Sequence, residues 1–371
     1  MGERKPGCWT PRSFTVLPLH LFTPCPSLVV TVDVPDSYGD DLAGDALPWA
    51  LVTRLWQAHG WGPVRDLVPL GGGQINRVYL VNSELVLRFR PSGKSAEGFL
   101  TEQTLLALLQ GRVPVAPVVL ADTTRRLVDA DYLVTRRLPG QTLAREWLTA
   151  TSGPRRRWLL RQWVELLRAI HEVRFPACGG FRSGALLPAP SWAAYLGERL
   201  QRRLALMRAC PNADPDLLDA VAAYWRRHVA ALACPPSPAD PRLVHRDLHF
   251  ANVLVEGERI TGVLDFEAAV AAPIDYELDQ IRRFLRWPAL FLEPDLAPLV
   301  RREACEEVWE ALRDGYPELF AVRDLTARLG IYSLEYDLAA LRDAYQGRWG
   351  EAGLRHVVTR IEEVLEGRHW G

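Results

Sequence analysis

Residues 243–269, LVHRDLHFANVLVEGERITGVLDFEAA, crowd His, Arg, Asp, Asn, Asp and Glu between short apolar runs. Asp247 and Asn252 lie five positions apart, and Asp265 ends the apolar run that follows a turn at 255–259. If those runs pair as a hairpin, Asn252 and Asp265 converge at one edge. Two oxygens so placed suit Mg²⁺, which takes a few protein oxygens together with water and substrate phosphates. Asp247, free of that duty, can accept a proton from an attacking hydroxyl. One such residue alone reads as the hydrogen bonding of a tight loop. The ordered set His-x-Asp-x4-Asn-x12-Asp, with strands on either side, reads as a phosphoryl-transfer site.

A second group lies far upstream. In PLGGGQINRVYLV, residues 69–81, Gly71, Gly72 and Gly73 separate two strand-like runs, where backbone N–H groups can approach phosphate. This is not a Walker A loop, because no Gly-Lys-Ser/Thr follows and the glycines lead into a strand. A phosphate-binding strand needs a cation. Arg88 supplies one, with Arg90 on the same face, and Glu102 in the next helical segment is the natural carboxylate partner.

These residues require two kinds of scaffold. From Leu47 the apolar spacing predicts a helix stopping at Gly60, then strands at 64–70, 76–81 and 85–90, a helix closed by Gly111, and two more strands within 121–138. After Pro139-Gly140 the character changes. Helical periodicity runs through 154–174, 191–209, 214–233, 297–313, 322–346 and 351–366, and only 243–246, 252–256 and 259–265 look like strands. The expected fold class is therefore α+β and two-lobed. A small five-stranded antiparallel N-lobe with one main helix spans 46–138. A larger, mostly helical C-lobe spans 139–371 and carries the loop 244–252 and the strand end 263–267. Residues 1–45, broken by Pro18, Pro24 and Pro26 and lacking an Ala-x-Ala cleavage site, are expected to be a disordered tail rather than an export signal.

The chain resembles the aminoglycoside phosphotransferase and choline kinase-like group of the protein-kinase-like fold. The resemblance covers about residues 60–285 and is most specific in HRDLHFAN…LDFE. It implies an ATP- and Mg²⁺-dependent kinase with nucleotide between the lobes. By motif match Asp247 would be the catalytic base, Asn252 and Asp265 the magnesium ligands, and Gly71 to Asn76 the phosphate cover. YLVTRRLPG resembles the family's hinge, which implies that the main chain at Arg136 and Leu138 binds adenine, with Thr135 at the back of the pocket. There are three departures: Arg88 stands where lysine is usual, Glu267 replaces the glycine of Asp-Phe-Gly, and the register of Asp275 and Glu277 is undetermined.

Composition narrows the partners. A net charge of −1 and 24% charged residues give no bulk attraction to nucleic acid or anionic membrane. No apolar run approaches the roughly 18–20 residues that span a bilayer. Six scattered cysteines without a Cys-x-x-Cys pair read as reduced thiols of a cytoplasmic protein. Only a handful of residues separate Asp265 from Pro273, with no Ala-Pro-Glu anchor, so a peptide-docking activation loop does not fit. The expected reaction is phosphoryl transfer to a hydroxyl of a small molecule: an aminoglycoside-like antibiotic, amino alcohol, sugar or similar metabolite. The alternatives are an atypical stress-response-type protein kinase and a catalytically weak nucleotide-binding pseudokinase. The acids Glu293, Asp295, Glu303, Glu306, Glu307 and Glu310 are expected to form a solvated helical face rather than a polyamine-binding wall.

Overall fold

The computed structural model describes residues 49–70, 76–91, 97–150, 152–210, 212–233, 240–346 and 350–369. The expected tail at 1–45 and the Gly71–Gly73 turn lie outside the described residues. The N-lobe contains α1 (Trp49–Ala58), β1 (Leu67–Leu70), β2 (Arg77–Val81), β3 (Leu85–Pro91), α2 (Glu97–Leu109), β4 (Val118–Asp122) and β5 (Ala130–Arg136). Its five strands form an antiparallel sheet in the order β1-β2-β3-β5-β4. Alternation places Tyr79, Val81, Leu87, Phe89, Tyr132 and Val134 under α1, whose Val52, Leu55 and Trp56 close that core. The helix α2 behaves differently. Its Leu105, Leu106 and Leu109 belong to the C-lobe core, so this helix ties the lobes together.

The C-lobe begins with β6 (Gln141–Thr142), α3 (Leu143–Leu148), α4 (Gly153–His171), β7 (Gly179–Arg182), β8 (Ala185–Pro188), α5 (Trp192–Arg208) and α6 (Pro215–His228). It continues with β9 (Arg242–Val244), β10 (Val253–Glu256), β11 (Arg259–Val263), β12 (Val270–Ala272), α7 (Glu277–Arg286), α8 (Arg302–Gly315), α9 (Leu325–Tyr345) and α10 (Gly350–Leu365). Two small sheets are embedded among these helices, in the orders β11-β10-β6 and β8-β7-β12-β9. No described helix is long and apolar enough to cross a membrane. Cys178, Cys210 and Cys305 are free thiols.

The helices expected from periodicity are present, and so is the β10–β11 hairpin. The structure adds β6, the β7–β8 hairpin, β12, α3 and α7 to the expected elements. The four added strands are two to four residues long, too short to display an alternation. The helix α7, ELDQIRRFLR, spaces Leu278, Ile281, Phe284 and Leu285 on one face, yet it is buried from Glu277 to Leu285, its charged face included. Its charges are matched inside the lobe. Arg283 binds Asp279 at 2.8 Å and Asp337 at 2.8 Å, and Ser333 joins the same group. Just before α7, the Arg328 guanidinium grips both oxygens of Asp275 at 2.6 and 2.9 Å, with both side chains fully buried. This places Asp275 and Glu277 in register: the first anchors α9, and the second turns toward the 245–247 loop.

The crossing between the lobes is pinned at Gly140. There φ is +111°, and a Cβ would lie 2.4 Å from the Val255 carbonyl oxygen. Thr261 donates to the Pro139 carbonyl at 2.5 Å, and Gln141 and Thr142 pair with Val255 and Leu254. The hinge strand is thereby fastened to the hairpin that carries Asn252 and Asp265. Gly140→Ala adds both a conformational strain and a collision with backbone, so it should destabilise the chain by about 1–3 kcal/mol. Urea unfolding measures this directly; an unchanged midpoint would show that the hinge is not fastened there.

Candidate active site

Pairing of Val253 with Val263 in the hairpin sets Asn252 beside Leu264, whose N–H donates to the Asn252 carbonyl at 2.9 Å. Asn252 and Asp265 therefore flank the same hairpin edge, as their spacing predicts. Asp265 has a left-handed backbone, φ 64°, which turns its carboxylate out of the strand; that side chain is 43% exposed. The Asn252 amide nitrogen donates to the Asp247 carbonyl at 2.8 Å and to its carboxylate at 3.1 Å. No described residue donates to the Asn252 Oδ1. The second Asp247 oxygen accepts from Gln280 of α7 at 2.8 Å. Burial, with the Asp265 charge adding to it, pushes the Asp247 carboxyl up to about 8 against those two hydrogen bonds.

The backbone of the loop is held by a carboxylate. Glu277 accepts the His245 N–H at 2.8 Å and the Arg246 N–H at 2.9 Å, where Arg246 takes φ 65°. Burial opposes the Glu277 charge, but His171 and these donors outweigh it and hold its pKa below the ordinary value. His245, fully buried, has its pKa lowered by desolvation and acts as a neutral brace. Its Nδ1 accepts the Asp247 N–H at 3.2 Å, and its Nε2 lies 3.0 Å from the Leu264 carbonyl. His245 thus joins the loop to the strand that ends in Asp265.

On the N-lobe side, Arg88 meets Glu102 at 2.6 Å, as expected from their spacing. It also reaches Glu267 at 2.7 Å and Asp265 at 3.5 Å. Burial works against the Arg88 charge, yet these three carboxylates raise its pKa and keep it cationic. Glu102, Asp265 and Glu267 bring one oxygen each within 4.8 Å of the others. Arg90 pairs with Glu267 as well and lies 4.4 Å above the Phe99 ring. Asn76 completes the group, donating to Glu267 at 2.9 Å and accepting from Arg90 at 3.0 Å. Asn76, Arg88, Glu102 and Asp265 therefore meet across the lobes, with Glu267 at their centre. In the sequence Glu267 stands out only as a departure from the glycine of Asp-Phe-Gly.

The hinge residues divide. The Arg136 N–H donates to the Pro117 carbonyl at 2.9 Å, so any adenine contact at Arg136 would fall to its carbonyl. The Leu138 N–H has no acceptor among the described residues. Thr135 is buried behind them. Gln280, which the sequence reading does not single out, and Glu277, whose register it leaves undetermined, are the α7 partners of the Asp247 loop. Their i,i+3 spacing in DYELDQ, which sets both on one side of α7, was the available signal. A third group was also missed. Arg199 and Arg203 of α5 and Arg246 of the loop all bind Glu335 of α9, which is completely buried. Burial opposes the Glu335 charge, but the three guanidinium groups overcome it and hold the pKa at about 2. The acids near the C-terminus mostly form surface pairs: Glu293 and Asp295 with Arg145, Glu306 with Arg302, and Glu307 with Arg156.

Residues 66–331 match the family model of the phosphotransferase enzyme family. A search of curated proteins finds no significant match. Among solved structures, aminoglycoside phosphotransferase APH(4)-Ia superposes with a TM-score of 0.64 at 20% identity, covering 86% of this chain and 99% of that one. The ADP-bound aminoglycoside phosphotransferase APH(2'')-Ib has a TM-score of 0.57 at 14% identity, over 86% and 97% of the two chains. The GDP and kanamycin complex of APH(2")-IIia has a TM-score of 0.51 at 18% identity, over 85% and 98%. The two-lobed protein-kinase-like fold is thus shared.

Glu335 yields a pH-dependent test of the site's scaffold. Its folded pKa of about 2 lies below the ordinary 4.5, so its contribution is complete above pH 4.5 and is lost as pH falls through 2. The shift corresponds to about 3 kcal/mol at neutral pH. Glu335→Gln should be destabilised by that order at pH 7, and the gap to wild type should narrow as the solution is acidified below pH ~4.5. Urea unfolding of both proteins at several pH values reads the gap directly. A gap that stays constant down to pH ~2.5 would mean that the carboxylate charge is not what holds the arginines.

Proposed function

The chain belongs to the phosphotransferase enzyme family, and we propose that it transfers the γ-phosphoryl group of ATP to a hydroxyl of a small molecule. The observation that carries this reading is the convergence of Asp247, Asn252 and Asp265 on one hairpin edge, opposite the Arg88–Glu102 pair. In the transfer, the acceptor oxygen bonds to the γ-phosphorus. The bond from that phosphorus to its bridging oxygen breaks, its electron pair leaves on ADP, and the hydroxyl proton passes to Asp247. Gln280 and Asn252 fix the orientation of that carboxylate, and burial makes it a stronger base than a free aspartate. The nearby solved structures that hold AMP-PNP with hygromycin B, or GDP with kanamycin, support a nucleotide and a hydroxyl-bearing small molecule as the two substrates.

The donor set fits Mg²⁺. Asp265 presents an exposed carboxylate, and Asn252 keeps an Oδ1 that no described donor claims, so both are hard oxygen ligands. When bound there, Mg²⁺ would neutralise phosphate charge. Arg88 is pre-positioned by Glu102 to meet phosphate, and Glu267 competes for it. The main-chain N–H of Leu138 is open for the base. A protein substrate is a poorer fit: the segment after Asp265 is one 3₁₀ turn, Phe266–Ala268, followed directly by β12, with no extended docking loop.

Two substitutions test the reading separately. Asp247→Asn should leave nucleotide affinity nearly unchanged while lowering turnover about 10²–10⁴-fold, because a proton acceptor is lost and not a phosphate ligand. Retention of more than about a tenth of the wild-type rate would refute the base assignment. Asp265→Ala should abolish the Mg²⁺-dependent tightening of nucleotide binding in calorimetry, and Asn252→Ala should weaken it. Equal Mg²⁺ dependence in wild type and Asp265→Ala would remove the metal from this edge.

A further inference from the structure

An acceptor hydroxyl must reach Asp247, and the wall next to it is cationic. Arg246 immediately precedes Asp247, and its guanidinium turns to Glu335 at 3.4 Å. Arg199, 2.7 Å from Glu335, and Arg203, at 2.5 Å, come from one face of α5. Tyr276, which donates to Glu335 and lies under Arg246, is one helical turn from Gln280, which donates to Asp247. The arginine cluster and the proposed base therefore share the start of α7.

One carboxylate cannot neutralise three guanidinium groups. Glu335 also accepts from the Tyr276 hydroxyl at 3.2 Å, so its two oxygens are fully engaged. The side chains of Arg199, Arg203 and Arg246 remain 24%, 18% and 15% exposed. Arg199 Nη2, Arg203 Nη2 and Arg246 Nη1 find no acceptor among the described residues, and none of them is sealed from solvent. Aromatic rings hold two of the forks in place: Tyr276 under Arg246 at 4.6 Å and Tyr195 under Arg199 at 5.4 Å. Trp192 stacks on Tyr195 and meets the edge of Tyr276.

The neighbouring charges do not cancel this excess. Glu198 and Arg202, the other charged residues of this part of α5, are exposed and offset each other. Across from Asp247, Asp279 and Asp337 are buried and matched by Arg282, Arg283 and Arg360. A polyamine entering here would meet fixed guanidinium groups with spare donors. A carboxylate or phosphate would receive forked, charge-assisted hydrogen bonds from them.

We infer that the acceptor of this enzyme carries an oxyanion, a carboxylate or a phosphate, beside the hydroxyl that is phosphorylated, and that Arg199, Arg203 and Arg246 bind it. The inference rests on the phosphotransferase reading above. It names an anionic substrate class for the same site, in place of the polycations that the solved neighbours hold.

The test is binding to the ADP-saturated protein, followed by thermal shift, with four probes: glycerate, glycerol 3-phosphate, glycerol and kanamycin. Glycerate or glycerol 3-phosphate should raise the melting temperature, and the stronger of the two identifies the oxyanion. Glycerol and kanamycin should not. Arg199→Gln and Arg203→Gln should each weaken the anion at least tenfold, every variant being scored against its own ligand-free melting temperature. Arg203→Lys, which keeps the charge and loses the fork, should fall between wild type and glutamine, and it carries the test if the glutamine variants do not fold. Stabilisation by kanamycin and not by the anions would overturn the inference. So would anion shifts that survive all three substitutions, or no shift with either anion. Absence of stabilisation by ADP itself would count against the phosphotransferase reading alone, because the anion titration without nucleotide still reports on the arginines.

Discussion

Two backbone N–H groups pointing at one buried carboxylate set the geometry on which the site depends. His245 and Arg246 turn through a left-handed residue, a conformation that costs a non-glycine side chain free energy and leaves their amides outside any ladder. Glu277 takes both amides from inside the protein. The carboxylate is itself held by His171 and by its place at the start of α7, so the loop is anchored to the C-lobe core and not to a neighbouring loop. Asp247 follows from this. Its main-chain N–H closes onto His245, its two oxygens are taken by Gln280 and Asn252, and its direction is fixed before any substrate arrives. Burying so many charges would be costly if any were left unmatched, which explains why the acids around α7 come with arginine, histidine or main-chain partners.

The N-lobe meets this rigid half through Arg88. A lysine would offer one compact charge, with its three donors on a single nitrogen. The arginine fork instead touches Glu102 on its own lobe and Glu267 across the cleft at the same time. The two departures from the family pattern, arginine for lysine and glutamate for glycine, thus explain each other: each supplies what the other side chain needs. Arg90 and Asn76 enclose the same glutamate, and Phe99 lies under Arg90. The cleft is bridged by these ion pairs, and under the proposed function phosphate would have to compete with Glu267 for the cation.

What could be read from the sequence followed the range of the forces involved. The hairpin, its two edge residues and the Arg88–Glu102 pair come from local periodicity and short spacing, and the structure brings them together. The second layer rests on contacts between distant segments. Glu335 meets Arg199 across 136 positions and Arg246 across 89, and Asp275 meets Arg328 across 53. No local pattern encodes such pairings. The helix α7 has apolar residues at helical spacing, but its charged face reads as solvated when it is in fact buried against distant partners. The Arg136 main chain shows the same limit in a strand: the hinge was recognisable, but which N–H the sheet had already used depended on where β4 and the Pro117 carbonyl lay.

If the acceptor is the anion inferred above, the same division would let the acceptor differ without disturbing the chemistry. Asp247, Asn252 and Asp265 are placed by a hairpin and by Glu277, none of which contributes to the α5 face. The arginines of that face are placed by Glu335, which lies on α9 and makes no contact with the hairpin among its hydrogen bonds and ion pairs. Changing the charge of the acceptor wall therefore requires substitutions only on α5 and α9, at positions where one buried carboxylate can hold two or three cations in register. Arg246 is the exception, since its backbone belongs to the loop and its side chain to the wall. Through that one residue, an anion on the wall would sit at a fixed distance from the base. The hydroxyl that reaches Asp247 would then be set by its spacing from the oxyanion, so the wall would select both the kind of acceptor and the position on it that is phosphorylated.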